Sequence, residues 1–287
     1  MKILVTGAYG QLGSTIKELS AQFSQWEFFF TDADSLDITD EKSVAEYFQK
    51  INPGFLINCA AYTAVENAEA DIETARAVNT VAPGVLAEAA KESQAGFIHV
   101  STDYVFDGKS PVPYRETDTV NPLGVYGATK LAGEWRSLEV NSDTIIIRTS
   151  WLYSSYGKNF VKTMLRMGQE RDTLNVVFDQ VGTPTCAEDL ARAALSVISH
   201  DDKNSRKKNG GIYHYSNEGV ASWYDFAKAI FELAGIECKV NPVLSDEFHS
   251  SVQRPHFSVL NKSKIKTTFN LEIPYWKESL KQFLKKL

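Results

Sequence analysis

The sequence predicts an α/β fold in which a doubly wound parallel sheet is followed by a smaller α+β region. Three observations support this prediction. A glycine-rich turn follows the first apolar segment, strands and helices alternate through the first half, and the pattern becomes irregular beyond Trp151. Alternation of β and α segments is typical of a parallel sheet that is covered by helices on both faces.

A glycine-rich turn joins the first predicted strand, Met1–Thr6, to a helix over Ser14–Leu19, and its glycines are Gly7, Gly10 and Gly13. In dinucleotide-binding proteins such glycines make a tight turn, let a pyrophosphate approach the backbone, and pack helix against strand. The helix N-terminus adds N–H groups and a positive dipole end. The turn therefore predicts a Rossmann-type dinucleotide site, and the alternative is an ordinary glycine turn.

The remaining elements alternate in the order that such a sheet requires. Further strands are predicted at Glu27–Thr31, Phe55–Cys59, Phe97–Val100, Thr144–Arg148 and Gly211–Tyr215, and further helices at Glu41–Lys50, Ile72–Asn79, Pro83–Glu92, around Tyr126 and Lys130, and at Glu188–Ile198.

A chain of 287 residues is long enough for two domains. We expect residues 1–150 to form the NAD(P)-binding domain, with a segment at about 186–216 returning to its sheet. Residues 151–185 and 217–287 would form the smaller, substrate-binding domain. The polar and basic stretch Asp201–Gly211 is predicted to be a solvent-exposed loop rather than a binding site.

Composition excludes several classes of protein. Hydrophobic residues make up 43% and charged residues 23%, which fits a soluble globular protein. The net charge of −6 argues against nucleic-acid binding, and the sequence has no apolar run of the roughly 20 residues that cross a bilayer. Because the apolar strand begins at residue 3, we expect no signal peptide. The three scattered cysteines indicate a reduced, cytoplasmic setting, and no spacing predicts a metal site.

An acid follows the second predicted strand, where dinucleotide-binding proteins contact the adenosine ribose. A carboxylate at Asp32 would accept hydrogen bonds from both ribose hydroxyls and repel a 2′-phosphate, which favours NADH over NADPH. Asp34 and Asp37 follow within a few residues. The acid that faces the ribose, and the choice between the two cofactors, therefore stay open.

Tyr126 and Lys130 are four residues apart and share one face of a helix, with Ser101-Thr102 a short way upstream. A phenol is a poor acid near neutral pH, and a nearby cation favours its phenolate. This pair suits reduction of a carbonyl, where a proton must reach the oxygen as hydride reaches the carbon. Together with the glycine-rich turn, it predicts an oxidoreductase.

The sequence resembles the extended short-chain dehydrogenase/reductases, and among them the dTDP-4-dehydrorhamnose reductase family. The resemblance runs along nearly the whole chain. The matching segments are TGAYGQLG at Thr6–Gly13, NCAAYTAVENAE at Asn58–Glu69, STDYVFDG at Ser101–Gly108, VYGATKLAGE at Val125–Glu134, RTSWLYS at Arg148–Ser154, NFVKTMLR at Asn159–Arg166, DQVGTPT at Asp179–Thr185 and RPHFSVL at Arg254–Leu260.

The resemblance implies that the chain reduces the C4 keto group of dTDP-4-dehydro-L-rhamnose with NADH or NADPH. The product would be dTDP-L-rhamnose, a precursor of cell-surface polysaccharides. Tyr126 would donate the proton, Lys130 would hold the nicotinamide ribose, and Thr102 would hydrogen-bond the keto oxygen, in the place where many relatives carry serine.

The resemblance also implies the remaining contacts. The cofactor would meet Gly10, Gln11 and Leu12 at its phosphates, Asp32 at its adenosine ribose, Asp37 and Ile38 near its adenine, and Ala61, Tyr62 and Thr63 beyond the third strand. The sugar nucleotide would meet Thr102, Asp103, Tyr104 and Trp151, with Arg254 at the diphosphate.

Ordinary structural roles compete with several of these assignments. Trp151 could pack in the core, Arg254 could form a surface ion pair, and Asp103 could brace its loop. His99, within an apolar strand, is interpreted as structural. Neither His214 nor His256 lies in a motif for acid–base chemistry.

Two other functions stay open. One is a related NAD-dependent nucleotide-sugar epimerase, dehydratase or reductase, although Asp103-Tyr104 after Thr102 lacks the glutamate that dehydratases place there. The other is a non-catalytic subunit that binds NADP(H) and a partner protein, although Thr102, Tyr126 and Lys130 are all present. Some relatives form metal-bridged dimers through an acid soon after the glycine turn. In this chain the first acid after the glycine turn is Glu18. A homodimer is therefore possible, but the resemblance is not taken to imply a metal ion.

Overall fold

The central sheet is built from the short apolar segments that the sequence places between helices. In residues 1–200, 208–247 and 252–287, which the computed structural model describes, it has six strands in parallel, ordered β2-β1-β3-β4-β5-β10. They are β1 Lys2–Thr6, β2 Glu27–Thr31, β3 Phe55–Asn58, β4 Gly96–Thr102, β5 Ile145–Thr149 and β10 Gly211–His214.

Side chains that alternate along the strands cover the two faces of the sheet. Ile3 and Val5 point to one face, against α1 (Gln11–Leu19) and α8 (Ala187–Ser199), whereas Leu4 points to the other face. There it packs with α2 (Glu41–Ile51) and α5 (Ala82–Glu92). The predicted doubly wound, Rossmann-type sheet is confirmed. In this strand order the direction of winding changes between β1 and β3, and ligands of such folds bind outside the carboxyl ends there.

One helical segment differs from its prediction. The helix expected over Ile72–Asn79 is α4, Ile72–Arg76, and continues as a π-helical turn, Ala77–Val81, directly into α5. The amide of Asn79 in this turn bonds both the N–H and the carbonyl of Tyr62, at 2.9 and 3.1 Å. A wide turn anchored to a loop is a tertiary feature, and apolar periodicity does not reveal it. A short helix, α3 (Val65–Ala68), was not predicted.

The chain beyond β5 builds a separate apolar cluster. Here β7 (Thr173–Val177) pairs in parallel with β12 (Lys239–Val243), and three helices pack around them. The elements of this region and its connections are β6 Leu152–Tyr153, α7 Phe160–Glu170, β8 Val181–Gly182, β9 Thr185–Cys186, β11 Ala221–Ser222, α9 Trp223–Ala234, α10 Ser263–Phe269 and α11 Trp276–Leu284, and α6 (Val125–Val140) precedes β5.

The predicted division into two domains stays a prediction, which the separate cluster around Phe226 and Ile230 supports. Strand β10 lies at the edge of the sheet beside β5, as expected of a returning segment. The predicted loop Asp201–Gly211 lies largely outside the described residues. Among the helices that the structure describes, every one is too short or too polar to cross a membrane.

Candidate active site

The glycine-rich turn has the geometry that a bound pyrophosphate requires. Gly7 has a positive φ of 67°, and a Cβ on it would lie 2.5 Å from the backbone N of Ala60. A Cβ on Gly13 would lie 2.2 Å from the carbonyl oxygen of Gly7. Helix α1 starts after Gly10 without a side-chain cap, although the first N–H groups of a helix have no helical partner. The turn therefore fits a dinucleotide, as the sequence predicts.

The structure places Asp32 and Asp34, two of the acids that follow β2, in different surroundings. Asp32 accepts hydrogen bonds from the N–H of Tyr9 at 2.8 Å and of Ala33 at 2.9 Å, which holds its carboxylate beside the glycine turn. Asp34 instead lines a separate surface recess. A cavity of about 400 Å³ beneath the turn is lined by the predicted residues Gly7, Gly10, Asp32, Asp37, Ile38 and Ala61.

A second cavity, of about 310 Å³, lies at the carboxyl ends of β4 and β5. It shares Gly10, Cys59 and Ala61 with the first cavity, so the two cavities adjoin and together form the recess. The predicted residues that line it are Gly10, Gln11, Leu12, Ala61, Thr63, Thr102, Asp103, Tyr104, Tyr126, Lys130 and Trp151. Gly13 and Tyr62 line neither cavity. Gly13 packs closely against the backbone of Gly7 in the glycine turn, and the backbone of Tyr62 is bonded to Asn79.

Helix α6 carries Tyr126 and Lys130 on one face and is fixed by buried polar contacts. One turn after Lys130, Glu134 bonds Arg148 of β5 at 2.7 Å and accepts the hydroxyl of Ser101 at 2.5 Å. At the other end, the carboxylate of Glu69 accepts the N–H of Val125 at 2.7 Å. The helix is therefore held to both β4 and β5 beside the cavity.

Burial decides the protonation of the predicted acid. It raises the pKa of Tyr126 to about 12, although a hydrogen bond from Thr102 opposes the shift. We expected Lys130 to favour the phenolate, but its Nζ bonds the carbonyl oxygen of Val100 at 2.7 Å. Burial also lowers the pKa of Lys130 to about 8. The structure thus keeps Tyr126 protonated at neutral pH, because the phenolate loses more hydration than nearby groups restore.

Asp103 follows Thr102 directly and is 2% exposed. Burial raises the pKa of its carboxyl to about 6, although a hydrogen bond from Thr102 opposes the shift. The hydroxyl of Thr102 donates to Oδ1 at 3.1 Å, whereas Oδ2 has no hydrogen-bond partner among the described residues. A buried polar atom that lines a cavity without a partner is suited to bind a ligand.

Trp151 is held in a strained conformation at the mouth of the cavity. Its φ is 49°, in the left-handed region that bulky residues rarely adopt. Its indole stacks on that of Trp223, with ring centroids 3.6 Å apart. Gly182 lies beneath the ring, where a Cβ would approach it to 2.7 Å. Strain of this kind is typical of functional sites.

Arg254 lines neither of these two cavities but a third one, of about 670 Å³, that Trp223 also lines. Its guanidinium pairs with Glu66, across the opening between the sheet and the C-terminal region. Tyr104 lies close enough to sense the charges of both. Of the two stacked tryptophans, Trp151 thus lines the cavity that holds Tyr126, and Trp223 lines the larger cavity.

Sequence reasoning missed several residues of these cavities. Cys59 lines both parts of the recess, and Asn58 and His99 lie directly behind Lys130. The position of Asn58 and Cys59 at the end of β3 could have identified them, since ligands collect at strand carboxyl ends. No sequence signal marks Trp223 or His256 as lining the large cavity.

Comparison with known proteins shows one family across the whole chain. Residues 1–287 match the family described as the RmlD substrate binding domain. The dTDP-4-dehydrorhamnose reductase of Aggregatibacter actinomycetemcomitans is 40% identical over 98% of this chain and 97% of its own.

Solved structures agree with this match. The dTDP-4-dehydrorhamnose reductase of Clostridium acetobutylicum is 44% identical, with a TM-score of 0.93 over 100% of this chain and 99% of its own. That of Bacillus anthracis, solved with NADP, is 37% identical, with a TM-score of 0.94 over the same shares. The chain belongs to the RmlD substrate binding domain family, the family of the dTDP-4-dehydrorhamnose reductases.

Proposed function

We propose that this chain is an NAD(P)H-dependent oxidoreductase that reduces the C4 keto group of dTDP-4-dehydro-L-rhamnose to give dTDP-L-rhamnose. One observation carries the proposal. Thr102, Tyr126 and Lys130 line one cavity, and that cavity adjoins the one beneath the glycine turn. A dinucleotide held at that turn would extend to the three side chains. The full-length relatives described above are named for the same reaction.

The cofactor would be held by the glycine turn, by the start of α1, and by Asp32 at the adenosine ribose. When bound, the nicotinamide supplies hydride to the carbonyl carbon. The carboxylate of Asp32 favours the ribose hydroxyls of NADH. The carboxylate of Asp37 already accepts a hydrogen bond from the hydroxyl of Thr39 at 2.6 Å. The relative from Bacillus anthracis nevertheless binds NADP, so both cofactors belong in the assay.

The protein contributes a proton and hydrogen-bond donors. Tyr126 is protonated at neutral pH and gives its proton to the C4 oxygen as negative charge develops there. The hydroxyl of Thr102, which donates to Oδ1 of Asp103, would turn its single hydrogen to the same oxygen. Lys130 then stabilises the phenolate that Tyr126 leaves, because an ammonium group nearby favours the charged form.

The substrate would extend from the catalytic recess into the large cavity. We place the sugar against Trp151, Asp103 and Tyr104, with Oδ2 of Asp103, which has no partner among the described residues, accepting a sugar hydroxyl. Arg254 would bind the diphosphate, because its planar fork matches phosphate oxygens. To do so, it must exchange the carboxylate of Glu66 for a phosphate.

We further propose that the reaction takes place in the cytoplasm. The chain has three cysteines, Cys59, Cys186 and Cys238, and all are free, as expected in a reducing compartment. A homodimer stays a prediction, to be measured by light scattering.

The test is oxidation of NADH and NADPH with freshly generated dTDP-4-dehydro-L-rhamnose, followed by absorbance, with the product identified by mass spectrometry and NMR. We expect turnover with the keto sugar, none with dTDP-rhamnose itself, and a ranking of the two cofactors. A protein that binds cofactor but reduces no keto sugar contradicts the proposal and favours the regulatory subunit. Purification with stoichiometric tightly bound NAD⁺ would favour an epimerase instead.

A further inference from the structure

A chain of buried polar groups runs from the first strand to Lys130. The hydroxyl of Thr6 donates to Oδ1 of Asn58 at 2.7 Å, and Nδ2 of Asn58 lies 3.0 Å from Nδ1 of His99. The other ring nitrogen, Nε2, lies 3.5 Å from Nζ of Lys130. Thr6, Asn58, His99 and Lys130 are each 2% exposed or less. The reaction proposed above assigns no role to the first three.

The backbone fixes the orientation of the Asn58 amide. The N–H of Ala60 donates to Oδ1 of Asn58 at 3.0 Å. A backbone N–H can only donate, so the atom that it meets must be the amide oxygen. Nδ2, which can only donate, therefore faces His99.

This orientation selects one tautomer of His99. The ring is buried, and its pKa is lowered well below the usual value by burial and by the charge of Lys130, so it is neutral. A neutral imidazole has one donor and one acceptor nitrogen. Since Nδ1 accepts from Asn58, the proton is on Nε2. The nitrogen that carries this proton lies 3.5 Å from Nζ of Lys130.

An ammonium group cannot accept a hydrogen bond, whereas a neutral amine can. We propose that Asn58 and His99 are positioning residues for Lys130: the Nε2–H of His99 disfavours the ammonium form and makes Lys130 a ready proton donor toward Tyr126. This inference rests on the proposed function for the role of Lys130, but the geometry behind it does not. The ammonium form of Lys130 donates to the carbonyl of Val100 at 2.7 Å, and the Nε2–H of His99 offers it no second acceptor.

Other groups near Lys130 act in both directions. Burial lowers its pKa, whereas the charges of Glu134 and Cys59 raise it. Glu134 is itself neutralised by Arg148 at 2.7 Å, and Tyr126 and Cys59 are protonated at neutral pH because burial raises their pKa to about 12. The tautomer of His99 thus decides whether Lys130 meets a donor or an acceptor at Nε2.

The tautomer can be read directly from the ring ¹⁵N signals of the intact protein, assigned by triple-resonance NMR. We expect His99 to carry its proton on Nε2 and not to titrate between pH 5 and 9. His214 is an internal control, for which the opposite tautomer is expected. It is equally buried, but its Nδ1 lies 3.1 Å from the carbonyl of Tyr114, which can only accept. His214 must therefore carry its proton on Nδ1. A proton on Nδ1 of His99 would overturn the inference.

The effect on Lys130 is tested with Asn58→Asp, which keeps the shape of the side chain but accepts where Asn58 donates. His99 should then move its proton to Nδ1 and offer Nε2 as an acceptor. The titration midpoint of Lys130, followed by its ¹³Cε signal, should rise by roughly one pH unit, as one hydrogen bond to a charged group predicts. Since this readout needs no turnover, it separates failure of this inference from failure of the proposed reaction.

A double variant separates the tautomer from the added charge. In the His99→Leu background, Asn58→Asp should move the Lys130 midpoint little beyond that of His99→Leu alone, because coupling through the ring is lost. If Asn58→Asp raises the midpoint equally in the parent and in the His99→Leu background, the shift belongs to the carboxylate alone and the inference is overturned. If Asn58→Asp does not fold, His99→Leu alone removes the N–H and should raise the midpoint by a smaller amount, whereas an unchanged midpoint again overturns it.

Discussion

At the scale of single residues, burial changes the chemistry that the sequence predicts. Tyr126 and Lys130 could be paired from their spacing alone, and helix α6 places them as expected. The direction of the Tyr126 pKa could not be predicted, because it depends on how much water the fold removes. Its rise to about 12 suits a proton donor better than the predicted fall, since a reductase must begin each cycle with a protonated phenol.

Asp103 gives a prediction at this scale. Its folded pKa of about 6 exceeds its usual 3.8, so the folded state binds more protons than the unfolded state between these values. Stability contributed by this group is therefore present at low pH and is lost as pH rises toward 6 and above. The shift of about 2 units is worth on the order of 3 kcal/mol. Asp103→Asn should raise Tm at pH 8 by several degrees and change it little at pH 4.

Asp107, four residues later, is the matched control. The pKa of its carboxyl is lowered: hydrogen bonds from Lys109, Asn121 and Tyr114 lower it, and outweigh the opposing effect of burial. Asp107→Asn should thus reduce Tm at pH 8, if only slightly, because the group is only partly buried. A loss of stability at pH 8 in Asp103→Asn, measured by calorimetry, would contradict the account of Asp103.

At the scale of elements, order along the chain is easier to predict than contact between elements. The alternation of strands and helices predicted every strand of the central sheet within two residues of its ends. The π-helical turn Ala77–Val81 was not predicted, because its shape comes from the bonds of Asn79 to Tyr62 and not from local periodicity. The same turn packs directly against helix α6, at Gly133.

Gly133 in α6 tests this contact. Alanine usually stabilises a helix interior over glycine by about 0.5–1 kcal/mol. A Cβ on Gly133, however, would lie 2.0 Å from the carbonyl oxygen of Asn79. Gly133→Ala should therefore destabilise the protein, by about 1–3 kcal/mol as for other overpacked sites. It should also reduce turnover by displacing Tyr126 and Lys130.

Ala128, exposed on the same helix, provides the control. Ala128→Gly should cost about 0.5–1 kcal/mol through helix propensity alone and leave the site intact. Chemical denaturation of both variants separates propensity from packing. A Gly133→Ala variant that is more stable than the parent protein would contradict the packing account.

At the scale of the whole molecule, the candidate site joins segments that are far apart in the sequence. The topology rule predicts that side chains at the ends of β1, β3, β4 and β5 converge, and they do. The pairing of Glu66 with Arg254 and the stack of Trp151 on Trp223 depend on how the C-terminal region packs against the sheet. No local pattern specifies that packing, so the large cavity could not be predicted from the sequence.

The most direct test of the central claim is to compare the parent protein with Tyr126→Phe in cofactor binding and in reduction of dTDP-4-dehydro-L-rhamnose. We predict that the variant binds NADH and NADPH as the parent does, and that kcat falls by about 10²–10⁴-fold, the usual contribution of a positioned proton donor. Turnover close to that of the parent protein, with cofactor binding intact, would contradict the assignment of Tyr126 as the proton donor.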